Sequence, residues 1–286
     1  MKHSSIHHFD RIAIMQNPQR IIFSLAFLPF AKLTRAASNL SAVLPLTATG
    51  YGTTLTAQIN IGGHLYDVLP DTGSADLWVL QKDWKCYNGQ ANVSGTPVSQ
   101  DECQYGTTAY TESDTFEPID DAWLGITYGA GDVFGTLGYE SMRLGSISIP
   151  RQEFGLMNAT TGPADRYSSG LVGLSLPIIS QTHPSNVTGL TGFELLTNTL
   201  MYDTVLLTLE AQGVEPYFAF ALDRIPQDQE IGEGKFGVGS DLRTAWLMSF
   251  RRLPQLRHHA ACCLQRVPHD ASGGDGNDPT RIDGRC

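Results

Sequence analysis

Val68-Leu69-Pro70-Asp71-Thr72-Gly73-Ser74-Ala75-Asp76-Leu77-Trp78-Val79 sets an acid and a short polar turn between two apolar runs. An apolar run delivers the carboxylate of Asp71 into a tight Thr-Gly-Ser turn, and a second apolar run, Leu77 to Leu80, leads away. An acid between two strand-like segments is out of place in a core. Desolvation raises its pKa unless hydrogen bonds or a neighbouring charge hold it ionised. The tripeptide offers such bonds: a Thr hydroxyl beside the acid, and a Gly that lets backbone N–H groups approach a carboxylate oxygen. Asp and Gly are also ordinary turn residues, so the tripeptide alone is compatible with a plain surface hairpin turn.

The longer string from Asp71 to Val79 resembles the first active-site segment of pepsin-like aspartic proteases, and the resemblance continues in order along most of the chain. Upstream, Tyr51 to Ile61 reads as a strand, Gly62-Gly63 as a turn, and Leu65 to Leu69 as the strand carrying the chain into the acid. This is the hairpin-then-acid order of that family. Pro70 departs from the aliphatic residue more usual there and removes a backbone donor. Downstream, 81–115 reads as a loop-rich insert holding Cys86 and Cys103. The segment Ala122 to Gly135 then reads as two short strands joined by Tyr128-Gly129-Ala130-Gly131, with glycines suited to positive φ. It resembles the family's flap, the hinged hairpin that closes over bound peptide. Ser168 to Ser175 resembles the second apolar-Gly segment, with Ser169 where the family usually has Asp. Val205 to Gln212 has helical spacing up to a Gly213 cap, and Tyr217 to Leu222 is a buried strand. Lys235 to Ser240 resembles the opening of a second lobe.

The resemblance implies a mainly β fold. Residues 48–222 would form a pepsin-like N-terminal lobe, β-barrel-like and carrying the flap hairpin. Residues 223–247 would be a connector and the start of a truncated second lobe. By the same resemblance Asp71 is catalytic, Thr72, Gly73 and Ser74 hold it, Tyr128 and Gly129 cover substrate, and Trp78 supports the flap. The implied activity is cleavage of extended peptides at acidic pH with no cofactor. The partner is a peptide or protein substrate, with no membrane in the mature form.

That chemistry needs two carboxylates held together, one protonated and one acting as a base. Asp71 heads the only Asp-Thr-Gly of the chain, and no Asp-Ser-Gly occurs. The nearest candidate, Asp270-Ala271-Ser272-Gly273, lacks an apolar approach that would bury it. The expectation is therefore a chain inert by itself, read either as a non-catalytic peptide-binding lobe or as the truncated product of a full protease gene. A homodimer lending one Asp from each chain is disfavoured, because retroviral aspartic proteases, which work that way, are much shorter.

Composition agrees with a folded, acidic body. Of 286 residues, 41% are hydrophobic and 9% aromatic, enough for a core in one large domain or two lobes. Residues 48–247 carry eight basic and twenty-four acidic residues, a surface that repels phosphate backbones and excludes nucleic acid as a partner. Residues 1–37 read as a signal-peptide-like leader around the apolar run Ile21 to Ala31, with Met15 as an alternative start. Sequons at Asn39, Asn92, Asn158 and Asn186, with an expected Cys86–Cys103 bridge, point to an oxidising route and a secreted or vacuolar destination. Residues 248–286 read as an irregular tail outside the fold. Its His258-His259 and Cys262-Cys263 pairs lack structural-zinc spacing, so no metal is expected. The pairing of Cys262, Cys263 and Cys286 is open. With no G-x-S-x-G, H-E-x-x-H or P-loop, other hydrolase classes have no footing.

Overall fold

Residues 40–89, 95–215, 217–223, 225–226, 228–239 and 262–266 are described by a computed structural model. The leader, Met15, the sequons at Asn39 and Asn92, and most of 248–286 lie outside these residues. In chain order the elements are β1 (Ser41–Thr49), β2 (Thr54–Ile61), β3 (His64–Asp71), β4 (Leu77–Asn88), β5 (Thr96–Val98) and a short helix α1 (Gln100–Cys103). Three long strands follow: β6 (Glu117–Tyr128), β7 (Gly131–Leu144) and β8 (Ile147–Thr161). Then come β9 (Gly170–Gly173), β10 (Thr182–Pro184), α2 (Val205–Ala211), β11 (Tyr217–Leu222), β12 (Gly232–Gly239) and β13 (Cys262–Arg266).

The strands form a single sheet in the order β10-β6-β7-β8-β4-β9-β3-β2-β1-β12-β11-β13, with β5 attached to β4. One further pairing, β2 with β7 through Asn60↔Arg143 and Ile61↔Met142, brings the sheet back on itself. The path β7-β8-β4-β9-β3-β2 is thereby a closed ring, the barrel-like lobe the resemblance implied. Closure removes edges that would otherwise present unpaired backbone groups.

Side-chain alternation along the strands divides the interior into two cores, and this division aims the functional residues. On β4, Leu77 and Val79 enter a core with Ile59, Tyr66, Phe154 and Phe236. The intervening Trp78 and Leu80 enter a second core with Leu124, Ile126, Met157 and Leu171, beneath the β6–β7 hairpin. The period-two geometry of a strand thus turns Trp78 toward the hairpin, whose tip carries Tyr128. The disulfide Cys86–Cys103, with Cα atoms 5.8 Å apart, joins β4 to the end of α1 beside this second core.

Several boundaries differ from the sequence reading. The body begins at Ser41, before position 48, because Ala42, Leu44, Leu46 and Ala48 alternate into the core while Val43, Pro45 and Thr47 face out. Residues 51–53 form a turn, with Tyr51 at positive φ, before β2 starts. Within the stretch read as a connector and second-lobe start, β12 is a full member of this lobe's sheet, lying between β1 and β11. Within the stretch read as an irregular tail, Cys262–Arg266 forms β13, antiparallel to β11. A strand edge of alternating backbone donors and acceptors accepts any extended segment that reaches it, without a sequence pattern to announce the pairing. Asn158 is exposed on β8 and Asn186 on the turn after β10. No helix among the described residues is long and apolar enough to cross a membrane.

Candidate active site

Asp71 is the last residue of β3, where the strand pairs in parallel with Gly173 of β9. Its main-chain oxygen accepts from Leu174 N at 2.8 Å. The chain then turns sharply, so that Gly73 N–H donates to Asp71 Oδ1 at 2.9 Å and the Ser74 hydroxyl to Oδ2 at 2.6 Å. Ser74 is buried behind the carboxylate, and its own carbonyl accepts from Ser175 N at 3.0 Å. Each carboxylate oxygen is thereby held by one donor from the turn, which fixes the plane of the group. The sequence reading gave Thr72 a share of this grip. Thr72 is instead exposed, and the bonds to the carboxylate run from Gly73 and Ser74.

The hairpin expected between Tyr128 and Gly131 is formed by β6 and β7, with Gly129 and Ala130 exposed at its tip. Trp78 Nε1–H donates to the Tyr128 hydroxyl at 2.9 Å. Burial pushes the Tyr128 hydroxyl pKa well above the usual phenol range, the Trp78 bond opposes this, and the charges of Asp76 and Asp71 add to it. Trp78 lies on β4, the strand that leaves the Asp71 turn, so its bond ties the hairpin tyrosine to that strand. Trp78 is in turn packed edge-on against Tyr105, ring centroids 6.1 Å apart, and Tyr105 edge-on against Trp84 at 5.5 Å.

Two buried acids behind the loop were not singled out from the sequence. Asp76 accepts from Ser180 Oγ at 2.6 Å and from Gln181 N–H at 3.0 Å, while its carbonyl accepts from Gly173 N at 3.0 Å. Burial raises its pKa against those two bonds. Glu153, on β8, accepts from Asp203 N–H at 3.1 Å. Burial first, then the charges of Asp76 and Asp203, push it up to about 8, with the Asp203 bond and Arg151 opposing. Both acids line one narrow cavity together with Leu124, Tyr202 and Thr204. The signal available in the sequence was an acid flanked by apolar residues, Ala75-Asp76-Leu77 and Glu153-Phe154. Among the described residues no cluster of three His, Cys, Asp or Glu side chains could hold a metal ion.

The family model described as eukaryotic aspartyl protease matches residues 54–244. An Aspergillus fumigatus protein named as an aspartic-type endopeptidase is 30% identical over 186 residues, covering 64% of this chain and 39% of that protein. Pepsin A of Bos taurus is 32% identical over 156 residues, covering 53% of this chain and 38% of pepsin. Among solved structures, the aspartic proteinase from Irpex lacteus matches 70% of this chain and 48% of its own, at 20% identity and a TM-score of 0.49. The chain belongs to the eukaryotic aspartyl protease family. It spans about two-fifths of the length of these two sequence relatives.

Proposed function

We propose that this lobe binds peptides in an extended conformation between the Asp71 loop and the Tyr128 hairpin, with Asp71 as one half of a water-activating pair. The observation that supports the reading most directly is the grip on Asp71: Gly73 N–H and Ser74 O–H each donate to one carboxylate oxygen, and Trp78, on the strand that leaves this turn, holds the Tyr128 hydroxyl. In the pair, one carboxylate takes a proton from water as it attacks the amide carbonyl, and a protonated partner donates to the carbonyl oxygen. A single acid cannot hold both roles at once. Asp71 is the only acid in this chain with the Asp-Thr-Gly surroundings that deliver such a group. The chain by itself is therefore a peptide-binding lobe without turnover.

The test is to incubate the full chain with denatured globin at acidic pH, with and without a statine-type inhibitor, and to measure inhibitor binding in parallel. The expected result is binding without inhibitor-sensitive cleavage. Cleavage that the inhibitor blocks and that Asp71→Asn abolishes would show that a second acid completes the pair. The disulfide and the exposed Asn186 turn support passage through an oxidising secretory route, with Asn158 and Asn186 the two exposed glycan acceptors among the described residues. Intact mass before and after glycosidase treatment checks this.

A further inference from the structure

The geometry points to Gln181 as a positioning residue that sets the height of the Tyr128 hairpin above the Asp71 loop. The outer edge of β6 is covered by β10, through the pairs Thr182↔Leu124, His183↔Trp123 and Pro184↔Ala122. The covering continues at both ends of β10: Ser185 N–H donates to Asp121 O at 2.8 Å, and Gly125 N–H donates to Gln181 O at 3.3 Å. Past this point the backbone turns away to the active-site loop, where Gln181 N–H meets Asp76 Oδ2 at 3.0 Å. The main-chain ladder therefore ends at Gly125, short of the hairpin tip. The Gln181 side chain supplies the missing rung: its Oε1 accepts Thr127 N–H at 3.1 Å.

One residue consequently touches the loop that carries Asp71 and the strand that carries Tyr128. The circuit closes through Trp78, two residues after Asp76, whose indole N–H holds the Tyr128 hydroxyl at 2.9 Å. A hairpin tip free at Thr127 would pivot about Gly125, and one held at Thr127 pivots a rung nearer its end. The length of the Gln181 side chain fixes where that pivot lies. This inference rests on the reading of the hairpin as the cover of a peptide site. A merely structural role, protection of a strand edge, would tie Gln181 to stability alone.

The experiment uses the full chain and two substitutions. Gln181→Leu keeps the bulk and removes the acceptor; Gln181→Glu keeps a carboxyl oxygen in its place. Both leave the backbone bonds of residue 181 intact. Amide exchange at Thr127 is expected to quicken about tenfold in Gln181→Leu and to return toward wild type in Gln181→Glu, the effect of one hydrogen bond. Affinity for a statine-type peptide at acidic pH is expected to weaken by about the same factor in Gln181→Leu and to recover in Gln181→Glu. Should Gln181→Leu fail to fold, Gln181→Asn, one methylene short of Thr127, replaces it. Unchanged exchange at Thr127 overturns the inference, and so does faster exchange with wild-type peptide affinity. If the wild-type chain does not bind the peptide, the peptide-site reading is what fails, and exchange at Thr127 still decides whether Gln181 holds the hairpin.

Discussion

Gly173→Ala is expected to destabilise the lobe by about 3–5 kcal/mol, the sum of overpacking and a lost buried hydrogen bond. Gly173 pairs with Asp71 on the neighbouring strand, and its N–H donates to Asp76 O at 3.0 Å. A Cβ there would lie 2.3 Å from the carbonyl carbon of Ala75 and 2.5 Å from Asp76 N. Both atoms are main chain inside the turn that carries the acid, so no side-chain rotation relieves the contact. The turn itself must move, and with it the Gly73 and Ser74 donors. A fitting control is Gly129→Ala, because a Cβ at the hairpin tip meets nothing within 4 Å. That substitution is expected to stay within about 0.5 kcal/mol of wild type, as surface changes usually do. Urea unfolding of the two variants side by side decides it. Equal midpoints would mean that the approach of β9 to the acid loop is looser than these distances state.

The residues that were legible in the sequence are those whose job is local. The acid turn, the Tyr-Gly-Ala-Gly hairpin and the helix ending before Gly213 each rest on neighbours within a few positions, and propensity alone marks them. What escaped depends on partners far away in the chain. β1 needed its alternation read across Pro45, and β12 shows its role only when it pairs with β1 from the other end of the lobe. The ring closes through two residue pairs between β2 and β7 that no periodicity announces. Asp76 was visible as part of a motif, yet its partners Ser180 and Gln181 lie about a hundred residues on, in a segment with no periodic pattern of its own. Thr72 shows the converse limit: sequence adjacency to an acid does not say which neighbours will donate to it, and here Gly73 and Ser74 do.

Glu153→Gln is expected to remove most of the loss of stability that the wild-type chain suffers between acidic and neutral pH. Glu153 is held up to about 8 in the fold by burial, against an ordinary value of 4.5 when the chain is unfolded. Between those two values the folded state keeps a proton that the unfolded state has released. Stability therefore falls as pH rises through the window, and by pH 7 the loss amounts to about 3 kcal/mol. Glutamine carries no charge at any pH and retains an oxygen for Asp203 N–H, so its unfolding free energy lacks this slope. Asp76, also raised by burial, acts in the same direction and leaves a residual slope in the variant. Glu140 acts oppositely. Burial works to raise its pKa, but bonds from Ser113, Thr115, Tyr110 and Ser141 N–H outweigh it and lower the group. Its contribution is present above the unfolded value and fades as pH falls through the folded one. The wild-type chain should accordingly be most stable at mildly acidic pH, bounded below by Glu140 and above by Glu153 and Asp76. Urea midpoints measured from pH 3 to pH 8 on both proteins test the assignment: parallel curves would show that Glu153 ionises as readily in the fold as out of it.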